Sequence, residues 1–589
     1  MIKMLKYLTK QDFMFMIISF CLIILQVYLD LTLPDYMAEI TMLVQTEGSE
    51  MSEVLTAGGY MLACALGSLF ASVVTGYFVA RIAANLSFKL RGEVYQTVEN
   101  FSLAEINRFS TSSLITRTTN DITQVQMVFA MGFQVLVKAP ITAVYAIYKI
   151  LGKDLTWTYA VVGAVAVLLV LIAIVFTIAV PKSKRIQKLT DRLTSVTREN
   201  LTGIRVVRAY NAEKYQTDKF TVANDELVKT NLTVNRVMAL VQPGMMLIMS
   251  GLSLAIYWIG AYIINEAAMP DKFVLFSDMM VFSSYAMQII MAFMMLTMIM
   301  TVLPRGMVAA NRINEVLHTK LSIQDGVGAQ IADDTQGELS FNNVSFKYPD
   351  AENGEYALKD INFSVKKGET VAFIGATGSG KSTLVNLLPR FYDVTEGSVT
   401  VNGVDIREYK QDDLHNRIGY VPQKSLLFTG TVFENVAYGE NGKGEYALDD
   451  VTFAVEVAQG KDFVEKLEET YEAHIAQGGK NLSGGQKQRL SIARAICRKP
   501  EVYVFDDSFS ALDYKTDKVL RAALKKETAG VTSLIVAQRI GTIIDADKII
   551  VLDEGTMVGM GTHKELMENC RVYQEIAYSQ LSEEELKNA

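Results

Sequence analysis

TVAFIGATGSGKSTLVNLLPRFY, residues Thr370–Tyr392, holds three signals in order: an apolar strand, a glycine-rich loop and a helix. Gly375, Gly378 and Gly380 let the loop curl its backbone N–H groups around phosphate oxygens, and the helix start adds the positive end of a dipole. Lys381 is then the partner of the β- and γ-phosphates and the Ser382 hydroxyl a Mg²⁺ ligand, with Thr377, Ser379 and Thr383 completing the loop. In this strand–loop–helix context the pattern is a P-loop.

Working outward, a second apolar strand, Glu501-Val-Tyr-Val-Phe505, ends in Asp506-Asp507. A strand that delivers a carboxylate to the metal side of a P-loop supplies a further Mg²⁺ ligand, here Asp506. Between the two strands lies Asn481-Leu-Ser-Gly-Gly-Gln-Lys-Gln-Arg489 at the head of a helix. Ser483, Gly484, Gly485 and Gln486 form another phosphate-binding terminus. One γ-phosphate cannot be held by both termini of the same fold, so the second invites a nucleotide carried by another copy of the domain. Short strands (LSFNNVSF, INFSV, SVTV) and later alternation of helix and strand up to SLIVAQ and KIIVLD predict an α/β domain with a largely parallel sheet over 336–589.

The first 304 residues read differently. Nearly uncharged runs recur six times, at Phe13–Leu33, Val54–Ala80, Met127–Tyr148, Leu155–Val180, Val237–Ile264 and Phe273–Leu303. Each meets the ~20 apolar residues needed to cross hydrocarbon. Lys3, Lys6 and Lys10 precede the first run. Arg81, Lys89, Arg91, Arg108 and Arg117 fall in one inter-run segment, and Lys182, Lys184, Arg185 and Lys188 open another. The segment around Glu47, Glu50 and Glu53 has no basic residue, so the N-terminus and the α/β domain are expected on the cytoplasmic side. The basic segments 81–126 and 181–236 predict long helical hairpins with tips near Ser110–Asp121 and Glu199–Asn211. The polar stretch 305–335 reads as a linker. Asp30, Lys138 and Asp278 lie in or near the apolar runs and are candidates to meet cargo; helix-end solvation is the alternative.

Over 589 residues, 50% are hydrophobic and 20% charged, with a net charge of −8, which suits a membrane part joined to a soluble one and gives no footprint for nucleic acid. Cys21, Cys64, Cys497 and Cys570 have no paired spacing, which argues against a disulfide framework or zinc site. The basic N-terminus resembles a signal peptide, but no small-residue cleavage site follows and the run continues to Leu33, so a retained membrane helix is expected. Nine methionines between Met279 and Met307 offer either adaptable contacts to varied apolar cargo or simple packing.

The order P-loop, Gln423 in YVPQKSLLF, LSGGQ, Asp506 and SALD (Ser510–Asp513) resembles the ATP-binding cassette transporters. The six preceding runs and ENLTGIRVVRAYNAE (Glu199–Glu213) resemble exporters with fused domains. The resemblance implies an all-α six-helix transmembrane domain, 1–304, and an α/β P-loop nucleotide-binding domain, with ATP and Mg²⁺ as cofactors. It also implies that Tyr348 stacks on adenine, that Gln423 senses Mg²⁺ and the membrane domain, and that Ser510–Asp513 links two ATP sites.

Two positions depart from the family pattern. Members that hydrolyse ATP follow the Walker B aspartate with Glu, the general base; here it is Asp507. A switch His is expected at the end of the strand Ser533–Ala537; here it is Gln538, and none of His318, His415, His474 and His563 is placed to replace it. Lys381, Ser382, Asp506 and Ser483–Gln486 are kept. The expectation is therefore a half-transporter that binds ATP at a hydrolysis-impaired site and pairs with a second, non-identical chain supplying the Glu and His. The cargo expected is a lipophilic or amphipathic small molecule, exported across a bacterial plasma membrane. A lipid or peptide exporter half, or a nucleotide-sensing regulatory or channel subunit, are the alternatives.

Overall fold

The structure, a computed structural model, describes residues 2–46, 48–151, 155–328, 335–351 and 354–580. Glu47 and the middle of the expected linker, 329–334, lie outside the described residues, as does the side chain of Lys184. The chain divides into two compact units: 1–97 with 112–319, and 98–111 with 320–589.

The first unit is helical. A 3₁₀ turn, Ile2–Tyr7, leads into α1 (Lys10–Gln45), whose start is fixed by Thr9: its hydroxyl accepts from the Asp12 N–H and its own N–H donates to Asp12. Then come α2 (Met51–Glu99), α3 (Leu103–Phe109), α4 (Thr111–Thr116), a π-helical turn (Arg117–Asp121), α5 (Ile122–Leu151), α6 (Leu155–Thr202), α7 (Ile204–Ala209), α8 (Glu213–Ala239), α9 (Val241–Glu266) and α10 (Met269–Leu317). Among the described residues, six helical spans are long and apolar enough to cross a membrane. α2 and α10 each hold 49 residues, ~73 Å, more than twice the ~30 Å of a hydrocarbon core, so both carry long extensions beyond it. α5 packs along α10, and α6 along α8 and α9. Trp157, Phe282 and Tyr285 are fully buried in one apolar cluster of the bundle, with the Trp157 and Phe282 rings 5.5 Å apart.

Two expectations change here. The stretch 305–335 begins as helix, because α10 continues to Leu317. Ala309, Ala310, Ile313 and Val316 recur at helical spacing and are all buried, a periodicity that the surrounding polar residues hide. The expected hairpin tip at Ser110–Asp121 also moves. The segment that folds with the second unit is 98–111, and 112–121 stays with the first. α3 carries the reason. Leu103 and Ala104 pack on the second unit's core, the Phe101 and Phe109 rings stack 5.8 Å apart, and Asn107 Nδ2 donates to Tyr392 at 3.1 Å. Burial alone would raise the Glu105 carboxyl, but hydrogen bonds from Ser102 and Ser322 outweigh it and hold the carboxyl below its usual range.

Among its described residues the second unit holds two larger sheets. One is four-stranded and antiparallel: β2 (Leu358–Val365), β1 (Leu339–Phe346), β4 (Glu396–Val401) and β5 (Val404–Asp405). The other is six-stranded, in the order β12 (Thr556–Gly561), β11 (Lys548–Asp553), β3 (Thr370–Gly375), β10 (Thr532–Val536), β9 (Val502–Asp506) and β6 (Ile418–Val421). All its strands are parallel except β12. A short pair, β7 (Gly430–Thr431) with β8 (His474–Ile475), stands apart. The near-continuous burial of β3, β9 and β10 is that of strands covered on both faces.

Candidate functional site: a P-loop nucleotide cavity

In a parallel sheet the C-terminal strand ends lie along one edge, and ligands bind there. β3 ends at Gly375 and the P-loop, β9 at Asp506, β10 at Val536 before Gln538, and β6 at Val421 before Gln423. The register brings them level: Val536 of β10 pairs with Phe373 on one side and Asp506 on the other, and Val421 pairs with Phe505. Residues more than 160 positions apart thereby reach one cavity of about 370 Å³.

The loop needs its glycines. A Cβ on Gly375 would stand 2.0 Å from the Leu552 carbonyl oxygen, and Gly380 is left-handed at φ 94. Lys381 heads the helix Lys381–Leu387 and is buried; its Nζ donates to the carbonyls of Gly375 and Ala376, both at 2.8 Å. Burial pulls its amine below the usual lysine range, while the charges of Asp507 and Asp506 pull the other way. Incoming phosphates would supply the counter-charge that favours the ammonium form.

Ser382 Oγ donates to Asp506 Oδ1 at 2.8 Å. Burial pushes the Asp506 carboxyl above its usual range and the Asp507 charge adds to it, against the Ser382 bond and the Lys381 charge. A hydroxyl and a carboxylate oxygen this close are hard donors suited to Mg²⁺, which takes one or two protein oxygens plus phosphate and water. Among the described residues no group of three or more His, Cys, Asp or Glu side chains offers a closed metal cage, so phosphate and water would complete the shell. Bound there, Mg²⁺ would neutralise phosphate charge; Ser382 and Asp506 would hold it and Lys381 would orient the phosphates.

Asp507 is the centre of a closed polar group. Its Oδ2 accepts from Gln538 Nε2 at 2.7 Å and from Gln423 Nε2 at 3.1 Å. The three residues are 84 and 31 positions apart in sequence, and all line the cavity. Tyr348 stands at another wall, its hydroxyl 2.8 Å from Thr383 Oγ1 and its ring edge-on to Phe346 and Tyr392. Thr377 and Gly378 line the cavity with them, and Ser379 lies buried behind the loop. Tyr356, Ala357, Glu554 and Gly555 also line it and were not singled out from sequence. The one signal for the last two is the turn Asp553-Glu554-Gly555, where Gly555 has φ 79 and a Cβ would meet the Ala357 carbonyl at 2.7 Å.

Ser483–Gln486 are not part of this cavity among the described residues. Ser483 caps the helix Gly484–Cys497: its hydroxyl accepts from Gln486 N–H at 3.3 Å, and its N–H donates to Gln486 Oε1 at 2.8 Å. Ser483 and Gly484 are exposed, which leaves the helix's first N–H groups open to an outside acceptor. Ser510 Oγ donates to the Asp507 carbonyl at 3.0 Å, and Asp513 caps the helix Tyr514–Glu527. In the first unit, Asp30 pairs with Lys138 at 3.3 Å and accepts from Ser68, while Asp278 is half-buried on α10. A second network was missed from sequence: Asp35 with Lys149 at 2.6 Å and with Tyr285 at 2.6 Å.

The ABC transporter family model matches residues 358–510, and the ABC transporter transmembrane region matches residues 16–293. The chain belongs to the ABC transporters. It is an ABC exporter half-transporter in which a six-helix membrane region is fused to an ATP-binding region, and it is an integral membrane protein. It is 38% identical over 528 residues to an uncharacterized ABC transporter ATP-binding protein of Mycobacterium tuberculosis, covering 90% of this chain and 88% of the relative. It is 31% identical to an ATP-dependent lipid A-core flippase of Hahella chejuensis, covering 86% and 85%. A solved bacterial Atm1-family ABC exporter with ATP bound shares the fold, with a TM-score of 0.78 over 96% of this chain and 98% of the other at 23% identity.

Proposed function

We propose that this ABC half-transporter is the hydrolysis-impaired member of a heterodimeric exporter. Its own P-loop binds Mg²⁺–ATP through Lys381, Ser382, Thr383 and Asp506, with Tyr348 against the base. Its Ser483–Gln486 completes the ATP site of a non-identical partner that supplies the missing Glu and His. The observation that carries the reading is the Asp507 network. A carboxylate one methylene short, with one oxygen committed to the Gln423 and Gln538 amides, is poorly placed to take a proton from an attacking water. Gln538 carries no charge to set beside a γ-phosphate. The orientation that follows from Lys and Arg puts the N-terminus and the ATP-binding region in the cytoplasm of a bacterial cell. Cargo is lipophilic or amphipathic. Similarity to lipid A-core flippases favours a lipid as the second reading of that cargo.

The test uses the complex isolated with its native partner. Alone, the chain should hydrolyse ATP very slowly; paired, turnover should rise by orders of magnitude. Ser483→Ala should then damage turnover more than Asp507→Ala, because it acts on the competent site. The reverse ranking would refute the division of labour.

A further inference from the structure

Below the apolar part of α1 and α2 lies a groove of about 740 Å³, apart from the nucleotide cavity. Lys6, Lys89 and Arg91 converge on it, with Tyr7, Phe88 and Tyr95 around them. Met4 and Leu8 are buried, anchoring the 3₁₀ turn Ile2–Tyr7 so that Lys6 and Tyr7 are held in place. Lys6 Nζ rests 4.8 Å from the Tyr7 ring centre, and Arg91 reaches Thr123 Oγ1 at 3.5 Å. Glu93 is the one carboxylate lining the groove, and among the described residues no ion pair engages Lys6, Lys89 or Arg91. Phe88 is 78% and Tyr95 62% exposed, large apolar surfaces set beside cations that form no salt bridge among the described residues, with the Asp12 carboxylate close enough to Lys89 to feel its charge.

Depth follows from one hydrogen bond. Asn85 Nδ2 donates to Asp12 Oδ1 at 3.0 Å, which levels these two residues just before the apolar run that opens at Phe13. Lys89 is four residues further along α2, or ~6 Å. A bilayer of ~40–45 Å around a ~30 Å core leaves ~5–8 Å of headgroup on each side, so Lys89 falls in that layer and Arg91, ~9 Å along, at its outer edge, with Lys6 lining the same groove. Aromatic rings and lysines at this depth suit an interface, and an arginine fork with two ammonium groups suits a phosphate.

We infer that this groove is a binding site for a phosphate-bearing lipid headgroup, distinct from the nucleotide cavity. The assignment to the inner leaflet rests on the proposed orientation. Each cation is worth about fivefold in anionic-headgroup enrichment, and the three together on the order of a hundredfold.

The complex would be reconstituted in phosphatidylcholine nanodiscs containing a photoactivatable phosphatidylglycerol, with no nucleotide present, and adducts mapped by peptide mass spectrometry. Adducts should concentrate on the peptides carrying Tyr7 and Tyr95. Unlabelled phosphatidylglycerol should compete and phosphatidylcholine should not. Lys6→Gln/Lys89→Gln/Arg91→Gln should lose labelling by tenfold or more, while Lys3→Gln/Lys10→Gln, outside the groove, should keep it. ATP photo-labelling of each variant checks that the protein is folded. Unchanged labelling in the triple variant, or equal competition by phosphatidylcholine, would overturn the site. Displacement by excess inorganic phosphate would keep the phosphate chemistry and overturn the lipid source. Modification of Lys6 by a membrane-impermeant amine reagent from outside sealed vesicles would overturn the orientation, independently of the groove.

Discussion

Placing Glu and His at positions 507 and 538 is the most demanding test of the proposed reading of the Asp507 network. The perturbation is Asp507→Glu with Gln538→His, made in a complex that also carries Ser483→Ala, so that the partner's site is silent and this chain's own site is read. The added methylene advances the carboxylate by ~1.3 Å, and the histidine removes one of the two amides now held by Asp507 Oδ2. A positioned general base is worth about 10²–10⁴ in rate, which at ~1.36 kcal/mol per decade is about 2.7–5.4 kcal/mol. Two features pull toward the low end. Gln423 still donates to position 507. Position 507 also sits at φ 47, a left-handed backbone that Asp tolerates better than Glu, at a cost of about 1–2 kcal/mol.

Phosphate release from the Ser483→Ala complex should therefore be near background, rise tenfold or less with Asp507→Glu alone, and reach on the order of a hundredfold with both changes. Asp507→Asn should leave the low rate where it is. A full rate in the Ser483→Ala complex before any repair would refute the reasoning, and so would no gain from the double change together with intact ATP labelling.

Two further outcomes follow from buried polar groups. Because burial raises the Asp506 carboxyl, the folded state holds its proton more tightly than the unfolded one. That contribution to stability is present below the ordinary value of 3.8 and is lost as pH rises through the elevated value. Asp506→Asn should thus raise the nucleotide-free unfolding temperature at neutral pH and flatten its fall between acid and neutral, while abolishing Mg²⁺–ATP binding; a lower unfolding temperature would contradict the sign. Tyr285 is fully buried and offers its hydroxyl to the Leu31 carbonyl at 3.0 Å and to Asp35 at 2.6 Å. Tyr285→Phe should cost about 1–3 kcal/mol by leaving these acceptors short of a donor, measured as thermal unfolding in detergent; an unchanged midpoint would mean water or lipid replaces the hydroxyl.

The chemistry-bearing stretches were legible because each is local. The P-loop, the strand ending at Asp506 and the capped helix after Ser483 all have their meaning within a dozen residues. Asp507 and Gln538 were legible as identities, but not as partners. Their contact depends on β10 lying between β3 and β9, a fact of sheet order that no local window carries. The six membrane runs were readable from hydropathy, whereas the tail of α10 was not, since four buried positions among polar neighbours read as a linker. Asp35, Lys149 and Tyr285 lie on three different helices, and nothing at any one of them announces the others.

On the proposed reading, the same non-local wiring gives a hydrolysis-impaired site something to do. Gln423 touches Asp507, and two residues later Ser425 Oγ donates to Gln488 Oε1 at 2.6 Å, on the helix that Ser483 caps. Arg494, from the same helix, donates to the Leu426 carbonyl at 3.1 Å. The loop after β6 is therefore bonded at one end to the nucleotide cavity and at the other to the helix that presents Ser483–Gln486. On the proposed reading, ATP settling against Asp506 and Asp507 competes for Gln423, and any shift of that loop is carried to Gln488 through the Ser425 bond. Occupancy here then adjusts the terminus that completes the partner's site. Hydrolysis at this cavity is not needed for that, and a shortened carboxylate capped by two amides suits a site whose work is to stay occupied.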